Sequence, residues 1–312
     1  MTVRGWCPGV HEPMASGDGL LVRVKPPGGR LPSVALHAVA DAAEAHGNGV
    51  IELTSRGNLQ IRGLTAASAP EFARAMVAVG LADPDPEHES RRNVIVLPPY
   101  DDALAAEVEA VLSDTAGLAS KFCIAIGAAE ADIVIDAGLI DGQEPFTLAA
   151  LRRVIAAAAG QRLPRRPVSR AVPHGLLHIP FGQTSATLLR GLADVTDSAR
   201  TTPYRALSVA AGCTAAGFVT DPADPRLRIA ACPGAPSCRS GQTPARVDAA
   251  TLAASGIGDV HVSGCDKGCA MPRPARTLVG RNGRYDLVRH GRAHDQPDLM
   301  GLSLAQAAAA LA

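Results

Sequence analysis

The chain has 312 residues, of which 47% are hydrophobic and 19% charged, and its 30 basic side chains balance 30 acidic ones. This composition is typical of a globular protein, and the zero net charge excludes a global basic field that would attract nucleic acid or a membrane surface. Aromatic residues make up only 3% of the chain, which argues against stacking platforms for single-stranded nucleic acid.

No targeting or membrane segment is predicted. Residues 1–8 lack the apolar core of a signal peptide, and the longest apolar runs, such as residues 154–159, are too short to span a bilayer. We therefore expect a cytoplasmic protein with neither a membrane nor a nucleic-acid partner. Cytosolic thiols stay reduced, and the cysteines number seven, so we expect metal ligands and buried thiols rather than disulfides.

A compact unit of strands and helices is predicted near the start of the chain. In chain order it has a strand over residues 19–24, a turn at 26–29, a helix from 31 to 47, strands over 50–53 and 59–62, and a helix over 67–80. Apolar residues at helical spacing indicate the first helix. A weaker copy follows, with a strand at 175–179, a helix at 186–195 and a segment at 202–209 that matches 54–61. Two related halves predict pseudo-twofold symmetry with a ligand site between them.

A different segment follows each copy. Residues 92–159 contain strand-like runs at 93–97 and 133–135 between alanine-rich helices, whereas residues 226–312 contain a strand at 259–262 and a C-terminal helix. The basic stretch 161–167 is predicted to be a linker. We accordingly expect a mixed α+β (α/β) fold in four parts, which are residues 1–84, 85–165, 166–225 and 226–312.

Four cysteines form two closely spaced pairs. Cys232 and Cys238 are separated by five residues, and Cys265 and Cys269 by three, within loops rich in proline and glycine. Four thiolates are the ligands of a [4Fe-4S] cluster, and irregular backbone can curl round such a core and direct amides at its sulfides. Structural zinc also takes four cysteines, but usually with two to four residues between the members of a pair.

The spacing therefore favours an iron–sulfur cluster over zinc. Cys213, Cys7 and Cys123 have no partner at ligand spacing. We expect Cys213 to be a small core residue. Cys7-Pro8-Gly9 repeats the tripeptide at Cys232 but supports no ligand on its own.

The cysteine pairs resemble the cluster signature of the sirohaem-dependent sulfite and nitrite reductases. Residues 53–60, with the sequence LTSRGNLQ, resemble the ferredoxin-like half-domain motif of that superfamily, and residues 21–29 and 91–94 resemble further segments. The likeness covers nearly the whole chain. It implies a nitrite/sulfite reductase-like fold of two pseudo-symmetric repeats, each made of a ferredoxin-like half-domain and a cluster/sirohaem-type domain.

Within the superfamily, several segments resemble the precorrin-3B synthase branch of aerobic cobalamin biosynthesis. They are residues 7–9, 13–19, 217–222, 229–236 and 261–270. This resemblance implies an O2-dependent oxidation of the tetrapyrrole precorrin-3A, which hydroxylates a meso carbon and closes a γ-lactone from a ring acetate. It also implies a reductase or other NAD(P)H-linked electron donor, and a separate non-haem iron whose ligands the sequence does not place.

Precorrins and sirohaem both carry many carboxylates, so the resemblance implies a cleft lined by cations, for which arginine forks are best suited. The residues in family-like motifs that we expect to bind the tetrapyrrole are Arg23, Lys25, Arg56, Asn58, Gln60, Arg62, Arg92 and Lys121. Lys121, Arg56 and Arg92 are also the expected catalytic residues. The alternative for any one of the cations is a solvated surface charge.

One departure from the reductases concerns Cys123. They carry a second lysine two residues after the position that matches Lys121, and this chain has Cys123 there. The substitution removes a cation and proton donor for cleaving S–O or N–O bonds. An alternative function is still a sirohaem-dependent reductase, in which the cysteine matching Cys269 also bridges to the sirohaem iron. A second alternative is a non-catalytic protein that transfers electrons or binds a tetrapyrrole.

Overall fold

The computed structural model describes residues 8–119, 121–161, 175–271 and 273–312. Cys7 and most of the predicted linker over residues 161–167 lie outside these ranges. Contacts divide the chain into two compact units, one of residues 1–14 and 20–218 and the other of residues 15–19 and 219–312. The finer division into four parts remains a prediction.

Strands and helices alternate through the described chain. The strands are β1 (Met14–Ser16), β2 (Gly19–Val24), β3 (Arg30–Pro32), β4 (Val50–Leu53), β5 (Leu59–Leu64), β6 (Val94–Val96), β7 (Ile124–Ile126), β8 (Ile133–Asp136), β9 (Leu139–Ile140), β10 (Glu144–Pro145), β11 (Leu176–His178), β12 (Gln183–Ser185), β13 (Ser198–Thr201), β14 (Ala206–Val209), β15 (Ile229–Ala231), β16 (Val260–Ser263), β17 (Ala275–Arg281), β18 (Arg284–Gly291) and β19 (Leu299–Leu302). The α-helices are α1 (Ser33–His46), α2 (Ser68–Ala78), α3 (Pro86–Arg91), α4 (Asp102–Ser113), α5 (Leu148–Ala158), α6 (Ala186–Ala193), α7 (Ala245–Ala254) and α8 (Leu304–Leu311).

The two half-domains of the first unit exchange a strand. In one sheet β2, β5, β4 and β12 are adjacent in that order, and in the other the order is β11, β14, β13 and β3. Thus β12 of the second half pairs antiparallel with β4, and β3 of the first half pairs antiparallel with β13. This reciprocal arrangement agrees with the pseudo-twofold symmetry predicted from the sequence.

Equivalent turns precede the exchanged strands. Each is a short 3-10 turn, at Pro27–Gly29 and Pro180–Gly182, and its central residue has φ of 56° in both halves. Gly28 adopts this left-handed conformation at little cost, whereas Phe181 is an unusual residue for it. Behind the sheets, α1 packs against α6 and buries Leu36, Val39 and Leu189 in a common core.

A third sheet of the first unit has the order β10-β9-β8-β7-β6. Strands β6, β7 and β8 are parallel, and one face of the sheet packs Val96, Ile124 and Ile133 into a core with α4 and α5. When both faces of a parallel sheet are buried, its strands have short runs of apolar residues without alternating polar ones. The sequence predicts β6 and β8, but not the three-residue β7.

The second unit contains a sheet in the order β15-β16-β17-β18-β19. Here too the first three strands are parallel and the last two antiparallel, so the segments that differ in sequence share one topology. Helix α8 matches the predicted C-terminal helix and begins with a capping box between Ser303 and Gln306. In the described part of the chain, we find no helix with the length and apolar character that crossing a membrane requires.

Candidate functional site

The sheet of the second unit places the two cysteine loops side by side. Strands β15 and β16 are parallel neighbours, with Ile229 opposite Val260 and Ala231 opposite Val262. Cys232 directly follows β15, and Cys265 comes shortly after β16. Because the carboxyl ends of adjacent parallel strands lie at the same edge of a sheet, both loops start from one place.

Close backbone packing then joins the loops. A Cβ on Gly264 would lie 2.8 Å from the Gly234 Cα, so a side chain at that position would push the loops apart. The amide of Gln242 donates to the Gly264 carbonyl at 2.7 Å, and the Lys267 ammonium donates to the Ser240 hydroxyl at 2.8 Å. These contacts hold the two cysteine pairs in a fixed relation.

The thiols interact with one another. The Gly264 amide donates to Cys232 Sγ at 3.1 Å, an interaction that suits a thiolate. Burial raises the pKa of the Cys265 thiol, and the charges of Cys238 and Cys232 raise it further. The residue Cys269 as a whole is exposed, but its thiol is buried. This burial is the first cause of the raised pKa of the thiol, and the charges of the other three cysteines raise it further.

This donor set fits an iron–sulfur cluster. Cysteine binds iron as the thiolate, so iron bound here would displace the protons of these thiols. Among the described residues, no three His, Cys, Asp or Glu side chains converge to hold a single metal ion. A cubane makes no such demand, because each cysteine binds a different iron atom. Within the described ranges, no such group of side chains is present for a separate non-haem iron either.

In the first unit, a polar row crosses the half-domain sheet through predicted site residues. Arg23 lies opposite Gln60, and Gln60 lies opposite Glu52. Arg23 Nε donates to Gln60 Oε1 at 3.1 Å, Gln60 donates to Glu52, and Arg62 Nη1 donates to Glu52 Oε2 at 3.3 Å. Arg62 is only 3% exposed, so it is a buried, paired cation rather than a solvated one.

Arg92 is likewise buried and paired. Its guanidinium donates to Glu89 Oε2 at 2.7 Å and to the Leu81 carbonyl at 3.1 Å, and it lies 3.7 Å from Glu109. Glu109 accepts a hydrogen bond from the Gly28 amide at 2.9 Å. Burial raises the pKa of Glu109, whereas that amide and Arg92 act in the opposite direction.

Lys25 and the half-buried Arg56 lie nearer the surface. Lys25 Nζ donates to the carbonyls of Glu89 and Ser90 at 2.6 Å and 2.9 Å. Arg56 lies in the turn between β4 and β5, where the Thr54 hydroxyl accepts from its amide at 3.3 Å. These hydrogen bonds therefore fix the side chain of Lys25 and the backbone of Arg56.

A chain of amide side chains connects three predicted site segments. Asn58 Nδ2 donates to Asn93 Oδ1 at 3.2 Å, and Asn93 Nδ2 donates to the Phe122 carbonyl at 3.1 Å. Asn58 belongs to the Arg56 turn, Asn93 adjoins Arg92, and Phe122 adjoins the exposed Lys121. The structure thus links the segments of the three expected catalytic residues within one unit.

Cys123 occupies a closed apolar environment. It is 0% exposed and clusters with Ile95, Ala125 and Val134, while its amide donates to Asp132 Oδ2 at 2.9 Å. A lysine in this cluster would bury an ammonium among apolar groups, at considerable cost. Cys213, in contrast to the core position expected for it, is only half-buried and packs at the margin of the core.

Sequence reasoning missed the acids that accompany the cations. Glu52, Glu89 and Glu109 hold Arg62 and Arg92, and none of them was expected at the site. Glu52 had a signal, because it interrupts the apolar strand Val50–Leu53. An acid in a strand that is otherwise buried requires a cationic partner.

Comparisons with known proteins give a consistent result. The profile of the nitrite/sulfite reductase ferredoxin-like half domain matches residues 12–79. A precorrin-3B synthase of Sinorhizobium sp is 31% identical over 94% of this chain and 84% of its own length. A ferredoxin–nitrite reductase of Synechococcus elongatus is 36% identical over 24% of this chain and 15% of its own.

The solved structures include a neighbour with the same fold. The NirA protein of Mycobacterium tuberculosis superposes with a TM-score of 0.62 at 16% identity, over 88% of this chain and 76% of its own. Together with the ferredoxin-like half-domain, this confirms the predicted nitrite/sulfite reductase-like α+β fold.

Proposed function

The chain belongs to the precorrin-3B synthase family, and on that premise we propose that it oxidises precorrin-3A in aerobic cobalamin biosynthesis. The observation that carries the proposal is the identity with a precorrin-3B synthase along nearly the whole chain. That match includes both the half-domains and the cysteine loops. It makes an oxidoreductase acting on a tetrapyrrole the function with the best support.

Cys232, Cys238, Cys265 and Cys269 are the proposed ligands of a [4Fe-4S] cluster. In support, the four thiols interact electrostatically, and the loops that carry them pack too closely to move independently. When bound, such a cluster supplies one-electron transfer. The Gly264 amide, which donates to Cys232 Sγ, would tune its potential through the hydrogen bond to sulfur.

The cations of the first unit are proposed to bind the substrate carboxylates. Arg23, Lys25, Arg56 and Lys121 are half-buried or exposed, so we assign them direct contact, together with Gln60. Arg56 and Lys121 are the proposed catalytic cations. Arg62, Arg92 and Asn58 are buried, so we propose that they position these neighbours instead of contacting the substrate.

The proposed chemistry is a monooxygenation. One oxygen atom of O2 becomes a hydroxyl group on a meso carbon, and the other leaves as water; this requires two electrons from an NAD(P)H-linked donor and two protons, one of them from solvent. The acetate carboxylate then forms a C–O bond to a neighbouring ring carbon, and its proton passes to the macrocycle. Lactone closure needs no further oxidant, so the overall change is the addition of one oxygen atom.

The reductase alternative has weaker support. Its activation of an oxyanion requires a dense group of cations, and the second lysine position is the buried Cys123. The nitrite reductase match also covers only a quarter of this chain. A sirohaem-dependent sulfite or nitrite reductase therefore ranks below the oxidation of precorrin-3A.

Isotope labelling tests the proposal. Protein reconstituted with iron and sulfide under argon is given precorrin-3A, a reduced donor and 18O2, and the product is analysed by mass spectrometry. We expect one 18O atom per product in the wild type and in the control Cys213→Ser, and no product from Cys269→Ser. Binding without turnover would favour a non-catalytic carrier, and consumption of sulfite or nitrite would favour the reductase.

A further inference from the structure

A turn far from the cysteines in sequence belongs to the cysteine unit in space. Residues 15–19 group with residues 219–312 in one compact unit. The turn contacts the backbone immediately before Cys238. Neither the sequence motif nor the comparisons assign it a role.

Two donors of the turn meet one carbonyl. The Ser16 hydroxyl donates to the Ser237 carbonyl oxygen at 2.8 Å, and the Gly17 amide donates to the same atom at 3.1 Å. The N–H of this peptide, which belongs to Cys238, donates to the Gly234 carbonyl at 2.8 Å. The Ser237–Cys238 peptide plane is therefore fixed from both sides, and with it the direction in which the Cys238 side chain leaves the backbone.

Gly17 permits this contact by having no side chain. A Cβ at that position would lie 2.3 Å from the Pro236 carbonyl oxygen and 2.9 Å from the Ser237 carbonyl carbon. Both are backbone atoms, which cannot turn away as the end of a side chain can. Any larger residue at position 17 must displace the turn or the loop of Cys238.

We propose that Ser16 and Gly17 are positioning residues that orient Cys238 as a cluster ligand. The inference rests on the proposed cluster, because it gives the turn a purpose in forming that site. The turn fixes one of four ligands, so its loss moves Cys238 while Cys232, Cys265 and Cys269 keep their own contacts. The expected consequence is a cluster that is incompletely held rather than a protein that fails to fold.

The first test uses the cluster-free protein. Ser16→Ala removes one of two donors, and a hydrogen bond of this kind changes an equilibrium by about two- to tenfold. We expect iodoacetamide to alkylate Cys238 faster by a factor in that range, with the rate at Cys265 unchanged, as measured by peptide mass spectrometry. Ser16→Thr keeps the hydroxyl group and should restore the wild-type rate.

The second test uses anaerobically reconstituted protein. Gly17→Ala is expected to lower iron and sulfide content, shift the EPR signal and midpoint potential, and shorten the lifetime of the cluster absorbance in air. Gly191→Ala is the matched control, because a Cβ at Gly191 meets no atom within 4 Å. Circular dichroism establishes that each variant is folded.

The two tests separate the inference from the proposed function. Unchanged alkylation in Ser16→Ala, or a wild-type potential and EPR signal in folded Gly17→Ala, would overturn the positioning role even if the cluster forms. If the wild type takes up no cluster but alkylation responds as expected, the turn still orients Cys238 and the proposed cofactor fails. If Gly17→Ala does not fold, the Ser16 pair of variants decides.

Discussion

Buried carboxylates accompany two of the arginines that the sequence assigns to tetrapyrrole binding. Arg62 pairs with Glu52, and Arg92 with Glu89 and Glu109. Charges removed from water are tolerated when they are paired and hydrogen-bonded. These arginines therefore stabilise the frame of the first unit.

Glu52→Gln tests the buried pair. The side chains of Glu52 and Arg62 are 8% and 3% exposed, so the substitution leaves Arg62 buried without its counter-charge. We expect the free energy of unfolding to fall by about 3–5 kcal/mol in urea titrations. The control Glu71→Gln breaks an exposed pair with Arg74 and should cost about 1 kcal/mol or less. Equal losses in both variants would contradict this reading of the site.

Glu109 gives a pH-dependent prediction. Burial raises its pKa in the folded state above the ordinary value of 4.5, so protonation favours the folded state. The stability gained in this way is complete below about pH 4.5 and is lost as the pH rises through the raised folded-state pKa. The unfolding free energy of the wild type minus that of Glu109→Gln should therefore fall over this interval and then level off. A difference that rises with pH would contradict the assignment.

At the scale of elements, the two half-domains exchange strands β3 and β12. A substitution in the turn before β12 tests this exchange. Gly182 has φ of 72°, and a Cβ there would lie 3.1 Å from the Leu53 carbonyl oxygen and 2.9 Å from Arg205 Cδ. The left-handed conformation alone costs a substituted alanine about 1–2 kcal/mol. Gly175, with φ of 75° and no atom within 4 Å of its Cβ position, is the matched control. We expect Gly182→Ala to lower the unfolding midpoint more than Gly175→Ala; equal effects would argue against the exchange.

The elements found by sequence reasoning are those with local signals. Helical spacing predicts α1, and a short apolar run predicts β2, because both patterns depend only on neighbouring residues. The exchange of β3 and β12 has no such signal, since strand pairing joins residues 130 to 170 positions apart, as in Gln183 with Glu52 and Arg30 with Arg200. Strand β7 was missed because three apolar residues do not distinguish a strand from other buried structure.

The candidate site divides in the same way. Cysteine spacing alone predicts the four proposed cluster ligands, because the motif itself contains the residues that bind iron. The acidic partners of the cations depend on tertiary packing, which one sequence does not reveal. The same holds for the contact of Ser16 and Gly17 with Ser237, since Ser16 and Ser237 are 221 positions apart. The pairing of Arg92 with Glu89 and Glu109 is of this kind, and the catalytic role expected for Arg92 stays a prediction.

At the scale of the whole molecule, cluster binding should stabilise the unit that carries the cysteines. A ligand that binds only the folded state shifts the folding equilibrium in favour of that state. We expect hydrogen exchange of the amides in residues 232–243 and 264–269 to slow after anaerobic reconstitution. The control variant Cys213→Ser should show the same slowing of hydrogen exchange by mass spectrometry. Unchanged exchange in the reconstituted wild type would contradict cluster binding at these loops.

The most direct test of the central claim is iron and sulfide analysis with absorption and EPR spectra, on protein purified without air. The account predicts the iron, sulfide and broad absorption of a [4Fe-4S] cluster without sirohaem bands, retained in Cys213→Ser and lost or altered in Cys232→Ser and Cys269→Ser. Sirohaem bands coupled to a cluster would restore the reductase alternative. Zinc without sulfide would contradict both functions.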